Sequence, residues 1–137
     1  MSTEQSGTIK TFLAAADLSA KQWYWVKVTA DNTVNVCAAT TDKPIGILQN
    51  KPSGSGQAAV VMIHGVSKAS ADASVTVGSV VGTSTDGQCV SVTEAEDATA
   101  YACGTCLVAA GSGNAGQIAE VFVDCGNPHL ALIKYTP

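Results

Sequence analysis

Arginine is absent from this sequence, and the basic residues Lys10, Lys21, Lys27, Lys43, Lys51, Lys68 and Lys134 are scattered singly. Nucleic-acid binding needs clustered positive charge and draws on Arg for bidentate contacts. With a net charge of −4, direct DNA or RNA binding is not expected. Charged residues amount to only 13% and aromatics to 5%, against a hydrophobic share of 46%, so the apolar content is mostly Val and Ala. The longest apolar run, Ala58 to Ile63, is far too short to span a bilayer. The start, Met1 to Thr8, is polar and carries no apolar segment of the secretory kind, so synthesis in a cytosol-like compartment is expected. There the five cysteines should be reduced and free of metal, and their odd number argues against a closed disulfide framework.

What is present points to β structure. Val and Thr suit a pleated surface, while frequent Gly, Ser, Asn and Asp supply turns. At 137 residues the chain is one domain's worth of core. Residues 1–11 are polar at the outset and lack periodicity, and read as a flexible arm. A β-rich domain is expected over 12–124, with a C-terminal extension over 125–137. Phe12 to Ala20 fits either a short helix or an extended lead-in. From Trp23 the period becomes two, with Tyr24, Val26 and Val28 on one face. Asp31-Asn32 then turns the chain into Val34 and Val36, a hairpin pattern. Further strands are predicted at Ile45–Leu48, Ala58–Val66, Val75–Gly82, Cys89–Val92, Ala102–Ala109 and Gln117–Val123, with a last one over His129–Tyr135. Thr93 and Glu96 have the spacing of a capping box. The expected fold is a small all-β barrel or sandwich of short antiparallel strands and hairpins.

A weak internal repeat runs through the chain. Gly46-Ile47-Leu48, a Gly/Ser turn and Gly56-Gln57-Ala58-Ala59-Val60-Val61 parallel Gly104-Thr105-Cys106-Leu107, a Gly/Ser turn and Gly116-Gln117-Ile118-Ala119-Glu120-Val121. Two similar hairpins fit a barrel or sandwich built from paired β units.

No motif defines a catalytic, cofactor or metal site. Cys103-Gly104-Thr105-Cys106 has redox or half-zinc spacing, yet it falls in a predicted strand rather than at a helix N-terminus. There residues three apart should face opposite ways. The isolated Cys37, Cys89, Cys125, His64 and His129 offer no partner ligands at zinc spacing, so the cysteines read as small core residues. Gly111, Gly113 and Gly116 match a dinucleotide fingerprint by letter, but a strand follows and the required acid is missing. Glu94, Glu96 and Asp97 read as a solvated loop. Trp23 and Trp25, on the face opposite Tyr24, fit either core packing or an interface anchor. An enzyme or a ligand-binding β-barrel is the rival reading.

The order of segments resembles the head decoration (capsid cement) proteins of tailed bacteriophages. The resemblance lies in Ala14 to Ala20 leading into Tyr24-Trp25-Val26-Lys27, then Pro44 to Pro52. It continues through Gly56 to Val60, Gly65 to Lys68, Val77-Gly78, Asp86-Gly87, Gly104 with Leu107, and Gly116 to Val121. It implies a virion protein on the outer capsid surface, made in the bacterial cytoplasm, with no catalytic residue and no cofactor. It further implies the major capsid protein as partner and a homotrimeric state. Tail-tube or head-fibre subunits are the neighbouring alternatives. The capsid contact is expected at Thr8, Ile9, Lys10, Thr11 and Phe12, carried by the arm, and a chain truncated before Phe12 is expected to keep its fold.

Overall fold

The computed structural model describes residues 7–72, 75–92, 100–109, 116–125 and, for backbone alone, 129–130. The strands are β1 (Thr8–Ala14), β2 (Trp25–Ala30), β3 (Thr33–Val36), β4 (Gly46–Leu48), β5 (Ala58–Ser70) and β6 (Val80–Thr83). They continue with β7 (Cys89–Ser91), β8 (Tyr101–Ala102), β9 (Gly104–Val108), β10 (Ile118–Asp124) and β11 (His129–Leu130). No helix occurs among the described residues, so the all-β expectation holds.

Nine strands form one sheet in the order β1-β3-β2-β4-β5-β10-β9-β6-β7. β1 also pairs antiparallel with β5, from Thr8 opposite His64 to Leu13 opposite Ala58, which closes the first five strands into a barrel. The seam with β3 is parallel, through Leu13–Thr33 and Ala14–Val34. β5 has 13 residues and outruns this barrel; its second half pairs with β10, from Gly65 opposite Val123 to Ser70 opposite Ile118. Strands β10, β9, β6 and β7 then curl back until Cys89 bridges Ala71 in parallel, just beyond the end of β5. A second, more loosely closed ring results, with β5 as the wall common to both.

The two rings repeat one another pair by pair. Trp25–Ile47 and Val26–Gly46 in β2/β4 correspond to Val80–Thr105 and Val81–Gly104 in β6/β9. Ile47–Met62 and Leu48–Val61 correspond to Thr105–Phe122 and Cys106–Val121. The seam hydrogen bonds recur as well. Gly56 N–H donates to Ala14 O at 2.8 Å and Gly116 N–H to Ala71 O at 2.7 Å, and Ala15 N–H to Val34 O (2.8 Å) matches Asp72 N–H to Cys89 O (2.9 Å). Gly56 and Gly116 hold φ of +83° and +88° at corresponding turns, the left-handed region that favours glycine. Gly46 and Gly104 are required by close approach: a Cβ there would overlap the carbonyl oxygen of Met62 or of Phe122. The weak repeat in the sequence is thus the visible part of a duplication that spans both barrels.

Each barrel encloses its own core. Phe12, Ala14, Leu18, Val26, Val34, Leu48, Ala59 and Val61 fill the first. Their counterparts Ala69, Ala71, Val75, Val81, Cys89, Cys106, Ala119 and Val121 all belong to the second. The second set is smaller, with Ala for Phe, Val for Leu, and Cys for Val and Leu. The deficit is met from the outer wall of the first barrel, whose Trp25, Ile47 and Cys37 are buried in the second core. The Trp25 N–H donates to Gly87 O (2.8 Å) and the Ser70 N–H to Trp23 O (2.9 Å), which fasten the contact.

Several expectations require correction. Thr8 to Thr11 are not part of a flexible arm but lie in β1, because their backbone pairs with Val60, Val61, Met62 and His64 of β5. Residues 1–6 lie outside the described residues. The strand predicted from Val75 begins only at Val80, since Ser79 N–H folds back onto Thr76 O (3.1 Å). After Ala14 the lead-in continues as bends and turns. The capping box at Thr93 lies outside the described residues, and so does the predicted last strand beyond Leu130. Of the C-terminal extension, Cys125 is buried in the second core and His129–Leu130 pairs with β8.

Candidate functional site

All five cysteines are buried, free thiols in the second core. Cys103 and Cys106 do not face opposite ways as their spacing in a regular strand would require. Cys103 falls between β8 and β9, where the strand is interrupted, and both side chains turn into the same core, 0% and 1% exposed. They repeat Ile45 and Leu48, which both pack on the first core. Burial pushes the thiols of Cys37 and Cys89 up to about 12. Cys125 is raised further, first by its hydrogen bond with Cys103 and then by burial. Burial also raises Cys106. Nucleophilic or metal-binding cysteines draw on an accessible thiolate, whereas burial disfavours that form at Cys37, Cys89 and Cys106. Among the described residues, no group of three or more His, Cys, Asp or Glu is arranged to hold a metal ion.

Other polar side chains among the described residues tie segments of the chain together. Asp42 accepts from Lys27 Nζ at 2.9 Å and from the Ala38 and Ala39 amides at 2.7 and 3.0 Å. Despite some desolvation, these bonds hold its carboxyl below the usual range. Gln88 ties the second seam, donating to Ser70 Oγ (3.0 Å) and Ala71 O (3.3 Å). His64 meets the Phe122 ring edge-on at 5.2 Å. Trp25 is 1% exposed, and its Nε1–H is the one buried side-chain polar atom without a hydrogen-bond partner among the described residues. Trp23 is half-buried against the same core, with Lys68 Nζ at 5.6 Å from its ring. Both tryptophans therefore join the barrels to each other.

Of the expected contact residues, Thr8, Ile9, Lys10 and Thr11 are exposed on β1, whereas Phe12 is 7% exposed inside the first barrel. Lys10 shares the inward parity of Phe12 and covers it at the barrel mouth, Nζ at 4.6 Å from the ring and 2.7 Å from Asn32 Oδ1. Ile9, Thr11 and Leu13 take the outward parity and stand beside Met62, Val60 and Ala58 of β5. Sequence reasoning missed this apolar outer face. The only signal was the alternation Ile9, Thr11, Leu13, which a polar first stretch of chain concealed.

No protein-family model matches the chain, and no curated protein does. Among solved structures the fold has a counterpart. It is similar to the N base of head fiber gp8.5 in bacteriophage phi29, with a TM-score of 0.57 over 85% of this chain and 93% of that one. Identity is 18%, so the likeness is one of fold.

Proposed function

We propose that this chain is a structural subunit of a bacteriophage virion that sits on the outside of the head and serves as the base of a head fibre. It acts by binding rather than catalysis. The supporting observation is the likeness to the phi29 head fiber N base, which takes in 85% of this chain and 93% of that one. The cement reading, first suggested by the resemblance in sequence, stands behind the fibre-base reading. Its motifs are Gly46, Gly56, Gly104, Gly116 and the core valines, and a duplicated barrel demands these for its own closure whatever it binds. The expected partners are the major capsid protein and further copies of the chain, as a homotrimer, assembled in the host cytoplasm and carried on the virion surface.

Electron cryo-microscopy of virions with the gene intact and deleted tests this reading. A fibre base predicts that deletion removes projecting density at the head surface while the heat resistance of the heads is unchanged. Loss of heat resistance without loss of a projection returns the cement role. Density on the tail, or none on the virion, refutes the head assignment.

A further inference from the structure

The duplication supplies an internal control for the surface. At the same position on the same face, the two barrels carry different chemistry. In the second barrel, Lys68 on β5 stands directly opposite Glu120 on β10, a charged pair set across the outer wall. The corresponding pair in the first barrel is Thr11 opposite Val60, flanked by Ile9 and Leu13, which are 56% and 43% exposed. No charged residue has outward parity on this part of β1 and β5 before His64. The face also continues an existing contact. Ile47, Met62 and Ile9 lie in one cross-strand row, and their exposures are 0%, 4% and 56%. The row thus runs from the contact between the barrels straight onto open surface.

We infer that the outer face of β1 and the first half of β5, centred on Ile9, Thr11, Leu13 and Val60, is the surface by which the chain associates with a second copy of itself. This wall is apolar, carries no charge at its outward positions, and is present as soon as the chain folds, before any head is available. Interfaces between permanent copies have this composition, resembling a core cut in half, whereas surfaces that wait for a later partner keep more polar groups. The adjoining part of the same wall, Trp25 and Ile47, is already covered by the second barrel of the same chain. The inference deepens the reading of the chain as an assembling subunit and rests on it only for its biological purpose.

The test transplants the second barrel's surface onto the first. The full-length chain carrying Thr11→Lys and Val60→Glu, alone or with Leu13→Ser (the residue at the corresponding position is Ser70), acquires side chains that the duplicate already accommodates in the same register. Far- and near-UV circular dichroism should therefore match wild type. Sedimentation equilibrium or native mass spectrometry should show wild type as an oligomer and the variants at the mass of one chain, 13.8 kDa. A folded variant that keeps the wild-type mass overturns the inference, as does a wild-type chain that stays monomeric up to high micromolar concentration. In the second event, loss of head binding by the folded variants would name the head as occupant of the face. Head binding, measured separately by co-sedimentation, tells the two failures apart. An oligomer that does not bind heads leaves this surface standing and refutes the proposed function.

Discussion

Deletion of residues 1–11 and deletion of residues 1–6 should have sharply different consequences, because the first removes Thr8 to Thr11 from β1 and opens a barrel, whereas the second leaves β1 whole. The longer deletion removes the pairings of Thr8, Ile9, Lys10 and Thr11 with His64, Met62, Val61 and Val60. If each residue contributes roughly one ladder hydrogen bond at about 1 kcal/mol net, that part is about 4 kcal/mol. Phe12, now at the chain end, also loses the cover of Lys10 at 4.6 Å, and partial re-exposure of such a ring adds roughly 1 kcal/mol. The total, about 5 kcal/mol, is a third or more of the stability of an ordinary domain, which is about 5–15 kcal/mol. At roughly 3–5 °C per kcal/mol, the melting temperature should fall by about 15–25 °C. Urea titration followed by far-UV circular dichroism and by tryptophan fluorescence measures both forms, since Trp25 reports on the junction between the barrels. Equal midpoints for the two deletions would show that β1 is dispensable and that the closed first barrel is not what holds this half together.

Gly104→Ala and Gly46→Ala should each destabilise by about 2–4 kcal/mol, because the new methyl group meets a backbone carbonyl that cannot move without parting two strands. Gly116→Ala, strained only by its φ of +88° and otherwise facing open space, should cost about 1 kcal/mol. Comparable denaturation midpoints for all three would contradict the close-approach argument. The raised thiols give an alkaline signature. Because Cys37 and Cys89 are pushed from 9.0 up to about 12, the folded chain holds those protons more tightly than the unfolded one. Their contribution is complete below about pH 9 and is lost as pH rises towards 12, by up to about 1.4 kcal/mol per pH unit for each thiol. Cys89→Val, which copies Val34 of the first barrel, should flatten the fall in urea midpoint between neutral and alkaline pH, and an unchanged slope would reject the assignment. Native protein should also react with a thiol reagent far more slowly than denatured protein.

The strands and hairpins were legible because Val26, Val28, Val34 and Val36 alternate around Asp31-Asn32 with little interference. The repeat of Gly46–Val61 in Gly104–Val121 was legible for a similar reason, since both copies keep their glycines where backbones touch. The rest of the duplication was hidden by substitution at core positions. Phe12 against Ala69 and Leu48 against Cys106 share no letters, yet they occupy corresponding places in the two cores. What relates them is volume, redistributed when one barrel lends its outer wall to the other's core. β1 was misread because a strand at a barrel mouth shows solvent at Thr8 to Thr11 on both parities, so the usual inward–outward alternation appears only at Phe12 and Ala14. Cys103 and Cys106 were placed on opposite faces by a strand rule that the break before Gly104 suspends.

The shared strand has a mechanical consequence. β5 runs without interruption from Ala58 to Ser70 and carries β1 and β4 along its first half and β10 along its second. A load applied at one barrel is delivered to the other through covalent backbone, with no linker to stretch or pivot in between. Pulling along that axis loads the flanking ladders in shear, so many hydrogen bonds resist together instead of opening one at a time. A part placed between a shell and a projecting appendage would gain from this arrangement. It would transmit torque and tension as a single stiff body, and would yield only by losing both halves at once.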